Sequence, residues 1–143
     1  MKSFAIGSHE KQAVTITVLG YERPPSGEFY DDNWLLCEVS VRVGAFSGKF
    51  QAHFLTAELE ALGRGLGKLH QELRGSYAFE PMEGQLVLRA SCSHLGHIRI
   101  TGVAMDEVGI GNKLAFDFSL DQSYLTTILR ALSDVVQTFP VRT

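Results

Sequence analysis

Apolar residues recur along this 143-residue chain with two different periods. Over most of its length apolar and polar residues alternate, which is typical of strands with one buried face. At residues 56–73 and 123–139 the apolar residues instead repeat at intervals of three and four, which indicates helices. The pattern predicts an α+β fold of about eight strands, mainly antiparallel sheet, in the order β-meander, helix, β-meander, helix. Both helices are expected to pack on the sheet.

The strongest strand signal lies in Trp34–Leu55. Alternation on both sides of Gly44-Ala45 predicts a long hairpin with one apolar face, which includes Phe46. Residues 22–33 contain a proline pair that no central strand tolerates, so they are predicted to form a loop. Residues 106–112 are predicted to be a glycine-rich connection. The other predicted strands lie within residues 4–6, 11–22, 77–79, 86–92, 98–104 and 114–120.

The first predicted helix has Thr56 as a plausible N-cap and Gly75 as its end. It contains three glycines, at positions 63, 65 and 67. Each costs about 1 kcal/mol relative to alanine in a helix interior, so this helix is expected to need tertiary packing. Its glycine face would allow a close approach to the sheet. In the second helix Leu129 lies on the apolar stripe, and Leu129→Asp is expected to unfold the domain.

Length and charge narrow the class of protein. A chain of 143 residues is expected to form a single domain over residues 1–143. The net charge of −3 argues against nucleic acid as a direct partner, because neutralising phosphates requires clustered Lys and Arg. The first residues lack the apolar stretch of a signal peptide, and no run of about 18 apolar residues could span a membrane. A cytoplasmic protein that does not bind membranes is therefore expected.

Metal-binding residue types occur together once, where Cys92, His94 and His97 lie within six residues. A structural zinc site needs four ligands, and no second half-site completes this one, so a core cysteine beside a polar turn is the favoured interpretation. Cys37 is likewise predicted to be a free core cysteine. The Gly109-Ile110-Gly111 segment precedes a strand rather than a helix, which argues against phosphate binding. No metal or cofactor is predicted.

Two pairs of side chains have the chemistry of general acids and bases. Asp117 with His97, and Glu38 with His53, are both expected on polar strand faces, where cross-strand surface pairing is the commoner explanation. Neither predicted helix carries a ligand or catalytic spacing. The sequence therefore predicts no catalytic residues and a protein that is not an enzyme.

Seven segments carry a resemblance to a known family. They are Tyr30-Asp31-Asp32-Asn33-Trp34-Leu35, Gly44-Ala45-Phe46-Ser47-Gly48, Thr56-Ala57-Glu58-Leu59, Gly75-Ser76-Tyr77-Ala78, Glu83-Gly84-Gln85-Leu86, Gly111-Asn112-Lys113-Leu114 and Asp121-Gln122-Ser123-Tyr124-Leu125. Together they resemble a bacterial family of small proteins similar to the WapI-type immunity proteins, the cytoplasmic antidotes of cell-wall-associated tRNA nuclease toxins. The resemblance covers nearly all of residues 11–142, and its motifs are structural rather than catalytic.

The resemblance implies inhibition of a toxin domain by direct binding. A mildly acidic antidote suits a basic nuclease, because complementary fields raise the association rate. The candidate contact residues form one aromatic and acidic stretch, namely Glu28, Tyr30, Asp31, Asp32 and Trp34. For Trp34, the alternative is that it anchors the start of a core strand.

A second function remains open from the sequence. The chain could carry a small apolar ligand between its Phe-rich strands, where Gly48 and Gly102 would leave space.

Overall fold

The computed structural model describes residues 1–9, 11–93 and 95–143. Its elements are β1 (Lys2–His9), β2 (Gln12–Tyr21), α1 (Phe29–Asp32), β3 (Trp34–Val43), β4 (Phe46–Leu55), α2 (Thr56–Glu72), β5 (Gly75–Phe79), β6 (Leu86–Cys92), β7 (His97–Met105), β8 (Lys113–Asp121) and α3 (Tyr124–Thr138). In the described part of the chain the strands form two four-stranded antiparallel sheets, β1-β2-β3-β4 and β5-β6-β7-β8. The predicted α+β class and element order are confirmed.

The two sheets and both long helices share one apolar core. The buried side chains alternate along the strands, as a period of two requires, and Phe54 of β4 contacts Phe79 of β5 with ring centroids 5.8 Å apart. Cys37 is fully buried in this core, and its burial raises the pKa of the thiol to about 12. Cys37 and Cys92 are both free thiols.

The long hairpin is confirmed, with Val43 paired to Phe46 and Leu35 paired to Phe54. The prediction that Phe46 is buried is wrong, because its side chain is 66% exposed. Burial along β4 is complete only towards its end, where Phe79 of the second sheet contacts Phe54 and α2 packs against the strand. The alternation of apolar residues shows which face a strand turns inward, but not how far the covering elements reach.

Helix α2 begins differently from the prediction. Leu55 occupies the N-cap position, and the carboxylate of Glu58 accepts the N–H of Leu55 at 2.8 Å. Thr56 is the first helical residue and is buried, so it is not the cap. The helix ends at Glu72, and its C-cap is Leu73 rather than Gly75. Leu73 adopts the left-handed conformation, with φ of 55°.

The predicted close approach of the glycine face is confirmed at Gly65. A Cβ added there would lie 2.2 Å from Cδ1 of Tyr77 in β5, so only glycine fits. Leu129 of α3 is only half-buried and lines a groove against α2, whereas Leu132 is 1% exposed. The effect of Leu129→Asp stays a prediction, and the same substitution at Leu132 would bury the charge more completely.

Candidate protein-binding surface

The loop between β2 and β3 contains most of the predicted contact residues. Its ends are joined by a hydrogen bond from the Glu22 N–H to the Trp34 carbonyl oxygen, at 2.9 Å. Within it, residues Phe29–Asp32 form the single helical turn α1, where an irregular loop was predicted. The N–H of Asp32 donates to the carbonyl of Glu28 at 2.9 Å, which closes that turn. The loop therefore has a defined backbone conformation.

Asp32 points into the loop rather than towards a partner. Its side chain is 7% exposed and accepts hydrogen bonds from the Ser26 N–H at 2.7 Å, the Ser26 hydroxyl at 2.8 Å and the Gly27 N–H at 2.9 Å. The hydrogen bond from the Ser26 backbone is the main reason that the pKa of Asp32 lies below its usual value, and Arg142 lowers it further. Asp32 fixes the loop and does not offer a contact.

Asn33 connects the loop to two distant parts of the chain. It is 2% exposed, and its side-chain amide donates to the carbonyl oxygens of Phe29 at 2.7 Å and Arg142 at 3.0 Å. Its side-chain oxygen accepts the Arg142 N–H at 2.7 Å and the Thr56 hydroxyl at 2.9 Å. Asn33 thus holds α1, the start of α2 and the segment after α3 together. The sequence carries no signal for this role, since Arg142 lies 109 residues away.

The segment after α3 runs along the same loop. The guanidinium carbon of Arg142 lies 3.4 Å from the ring centroid of Tyr21, a cation–π contact, and its Nη1 donates to the carbonyl of Arg23 at 3.1 Å. The Tyr21 hydroxyl donates to the carbonyl of Pro140, and the Tyr21 ring meets Phe139 edge-on at 5.7 Å. Residues 139–142 therefore brace the loop from one side.

The outward side of the loop presents aromatic and acidic side chains. Tyr30 is 64% exposed and Phe29 is 50% exposed, and their rings contact each other edge-on with centroids 5.6 Å apart. Glu28 and Asp31 flank them and are also exposed. We call Glu28, Phe29, Tyr30 and Asp31 the aromatic loop surface. Phe29 was not among the predicted contact residues.

The remaining predicted contact residue begins the next strand. Trp34 is half-buried and begins β3, which matches its alternative interpretation as a strand anchor. Of the five predicted residues, the structure therefore places Glu28, Tyr30 and Asp31 together on the surface. Asp31 lies 3.8 Å from the guanidinium of Arg23, and both side chains are about half exposed, so the pair leaves the carboxylate accessible.

A family model for the WapI-like immunity proteins matches residues 5–140, which is nearly the whole chain. The chain belongs to the WapI-like immunity protein family. The resemblance seen in the sequence is thereby confirmed, and membership supports an immunity or antidote role. No individual curated protein matches the chain.

In this WapI-like chain the metal-ligand candidates are not assembled into a site within the described residues. Cys92 is half-buried and its thiol donates to the carbonyl of Ser93 at 3.5 Å. His97 is exposed, and His94 lies outside the described residues. Over residues 1–9, 11–93 and 95–143, no group of three or more His, Cys, Asp and Glu side chains could hold a metal ion.

The acid–base candidates of the WapI-like chain pair differently from the prediction. Asp117 binds Arg99 through two hydrogen bonds, of 2.6 and 3.0 Å, instead of pairing with His97. This pairing lowers the pKa of Asp117, chiefly through the hydrogen bonds from Arg99. Nδ1 of His53 lies 3.3 Å from the carboxylate of Glu22 rather than beside Glu38. The Asp117–Arg99 pair is an exposed ion pair between neighbouring strands, which is the kind of pairing that the favoured interpretation expected, whereas Glu22 follows the end of β2.

The two glycines of the ligand-binding alternative differ. At Gly102 a Cβ would lie 2.7 Å from Cζ of Phe116 and 2.3 Å from the carbonyl oxygen of Val87, so the aromatic ring already fills that space. At Gly48 a Cβ would meet no atom within 4 Å. No helix in the described part of the chain is long and apolar enough to cross a membrane.

Proposed function

We propose that this protein is an antidote that neutralises a toxin domain by binding it directly through the aromatic loop surface. The observation that carries this proposal is the exposed Phe29–Tyr30 pair on a loop whose backbone is held in one conformation. Its role is binding rather than catalysis, and no cofactor is required. The toxin domain is a protein partner, and contact takes place in the cytoplasm.

Exposed aromatic side chains on a fixed backbone favour tight binding. Tyr and Trp dominate the energetics of protein interfaces, because they bury a large area with few rotatable bonds. Binding costs free energy wherever a flexible segment must be ordered. Here the loop is already ordered when the protein folds, because the hydrogen bonds of Asp32 and Asn33 fix α1. The loop can then bind without a large conformational change.

The charge of the surface suits a basic partner. Glu28 and Asp31 are exposed beside the two rings, and the chain as a whole carries a net charge of −3. A nuclease domain that binds phosphates is usually basic, and opposite potentials steer two proteins together. We therefore propose a nuclease as the toxin, with association that slows as salt is added.

Affinity measurements with a toxin domain identified in the neighbourhood of this gene test the proposal. Tyr30→Ala and Phe29→Ala should each raise the dissociation constant by about 30-fold, which is the loss of affinity typical of an interface hot spot. Tyr124→Ala is the matched control, because Tyr124 is 41% exposed at the start of α3. An unchanged affinity in both loop variants, with all three proteins folded, would contradict the proposed surface.

A further inference from the structure

A cleft lies between the two sheets at the end opposite the loop. It has a volume of about 250 Å³ and is lined by Val41, Phe46, Gly48, Phe50, Ala104 and Leu114. Its rim carries Lys49 of β4, Lys113 of β8 and Asp106, whose carboxylate accepts the Asn112 N–H at 2.8 Å. The volume is below the range of about 300–1,000 Å³ that is usual for small-molecule sites. It is sufficient for one large apolar side chain.

Gly48 keeps this cleft open. It pairs with Val41, whose side chain is buried, so the missing side chain of Gly48 would point to the same inner face. A Cβ at this position would meet no atom within 4 Å, and the φ angle of Gly48 is not in the left-handed region. The backbone therefore does not require glycine here. The effect of glycine at position 48 is to leave the cleft unfilled by a side chain.

The strand that borders the cleft has a free edge. In the described residues β4 is the last strand of its sheet and pairs only with β3, and residues 46–49 are exposed. The carbonyl of Gln51 points outward and is capped by the side chain of Gln85 at 3.2 Å. In an antiparallel strand alternate residues direct both backbone groups to the same side, so Lys49 and Ser47 also direct theirs outward. An exposed edge of this kind is a template for an added strand.

These two features fit one occupant. In a strand paired with β4, the residue opposite Gly48 would make no backbone hydrogen bond to it and would point its side chain into the cleft. The residue opposite Lys49 would lie on the outer face, beside a lysine side chain that is 66% exposed and whose ammonium group lies 3.7 Å from Glu38. A carboxylate at that position would complement the lysine. Among the described residues no partner is seen for the side chain of Lys113, the second cation at the rim.

We propose that the edge of β4 at residues 47–49, together with this cleft, is a second protein-binding surface. It accepts an extended segment of a partner protein in which a residue with a large apolar side chain is directly next to an acidic residue. Hydrogen bonds from Ser47 and Lys49 hold the backbone, and the cleft selects the apolar side chain. This surface lies apart from the aromatic loop surface and does not depend on its role.

Titration of the isotope-labelled protein with short peptides, followed by NMR, tests the proposal. The probe is an acetylated and amidated hexapeptide with the sequence threonine-valine-phenylalanine-glutamate-valine-threonine. It should shift the amide signals of Ser47, Lys49 and Leu114 at millimolar concentration. Peptides with alanine for phenylalanine, or with lysine for glutamate, should bind more weakly, by about tenfold and about threefold respectively.

Two substitutions on the same strand supply the decisive comparison. Gly48→Leu fills the cleft and should weaken binding of the probe by about tenfold or more. Ser47→Leu places the same side chain on the outer face and should leave the affinity within about twofold. Equal affinity in Gly48→Leu and the wild type would overturn the proposal. So would the absence of any shift at β4, or shifts at the cleft with decanoate but none with the peptide, which would indicate a small-ligand site instead.

Discussion

The two ends of strand β3 meet opposite kinds of surroundings. The strand spans Trp34–Val43, so its ends lie about 30 Å apart at about 3.3 Å per residue. At the Trp34 end, the side chains of Asp32 and Asn33 bind the backbone of the loop and of the segment after α3, and Asn33 also accepts the hydroxyl of Thr56 in α2. At the Val43 end, β4 begins with exposed residues and a strand edge that the described chain does not cover.

This difference separates two ways of recognising a partner. Where hydrogen bonds within the protein fix the backbone in one conformation, side chains make most of the contact, and recognition depends on which side chains they are. The aromatic loop surface is of this kind. Where backbone groups of a strand remain free, many sequences can pair with it, and selectivity comes from a neighbouring pocket. The β4 edge and the Gly48 cleft are of this second kind.

Among the substitutions that test this difference, removal of the Asn33 side chain should cause the largest loss of stability. Asn33→Ala leaves the buried hydroxyl of Thr56 and the backbone groups of Arg142 without partners, which should lower the free energy of unfolding by about 3 kcal/mol. Urea denaturation measures this loss. Asn112→Ala at the open end is the control, since the exposed Asn112 side chain has one long contact, 3.5 Å from Asp106. A loss below about 0.5 kcal/mol in Asn33→Ala would contradict the role of Asn33.

The Arg142 side chain should contribute less, because it lies near the surface. Arg142→Ala removes the cation–π contact with Tyr21 and the hydrogen bond to Arg23, which together should be worth about 1 kcal/mol. Backbone amides of residues 26–32 should exchange faster with solvent, while the amide of Gly44, bonded to Lys11 at the other end, should not change. Arg130→Ala on α3 is the matched control. Equal exchange of the loop amides in both variants would contradict the claim that the Arg142 side chain stabilises the loop.

The pH dependence of the loop should be the mildest effect. The pKa of Asp32 is lowered below its usual 3.8, so its ionised form stabilises the folded loop at any pH above that value. This contribution is lost as the pH falls through the lower pKa. The amide proton shifts of Ser26 and Gly27 should therefore titrate with a midpoint below 3.8. A midpoint above 3.8 would mean that these hydrogen bonds do not favour the carboxylate.

Much of the fold could be predicted from the period of the apolar residues. The helices predicted at 56–73 and 123–139 are observed at Thr56–Glu72 and Tyr124–Thr138, and the long hairpin turns at Gly44-Ala45 as expected. Periodicity succeeds there because burial of a repeated face determines the element. It fails for Phe46, whose spacing matches that of Phe54 while its surroundings do not.

The candidate surface was predicted less completely. The acidic and aromatic composition of residues 28–34 indicated a contact region, but Asp31 and Asp32 are identical residue types with opposite orientations. Their roles depend on whether Ser26 and Gly27 lie within hydrogen-bond distance, which only the folded loop decides. Asn33 and Arg142 were missed for the same reason, since contacts across 109 residues leave no local pattern.

Hydrogen exchange on the complex with the toxin domain tests the central claim most directly. If the aromatic loop surface is the contact, peptides covering residues 22–34 should exchange more slowly in the complex than in the free protein. The outer face of the β5–β8 sheet should be unchanged. Protection confined to that sheet, or to the groove between α2 and α3, with residues 22–34 exchanging as in the free protein, would contradict the proposed mode of binding.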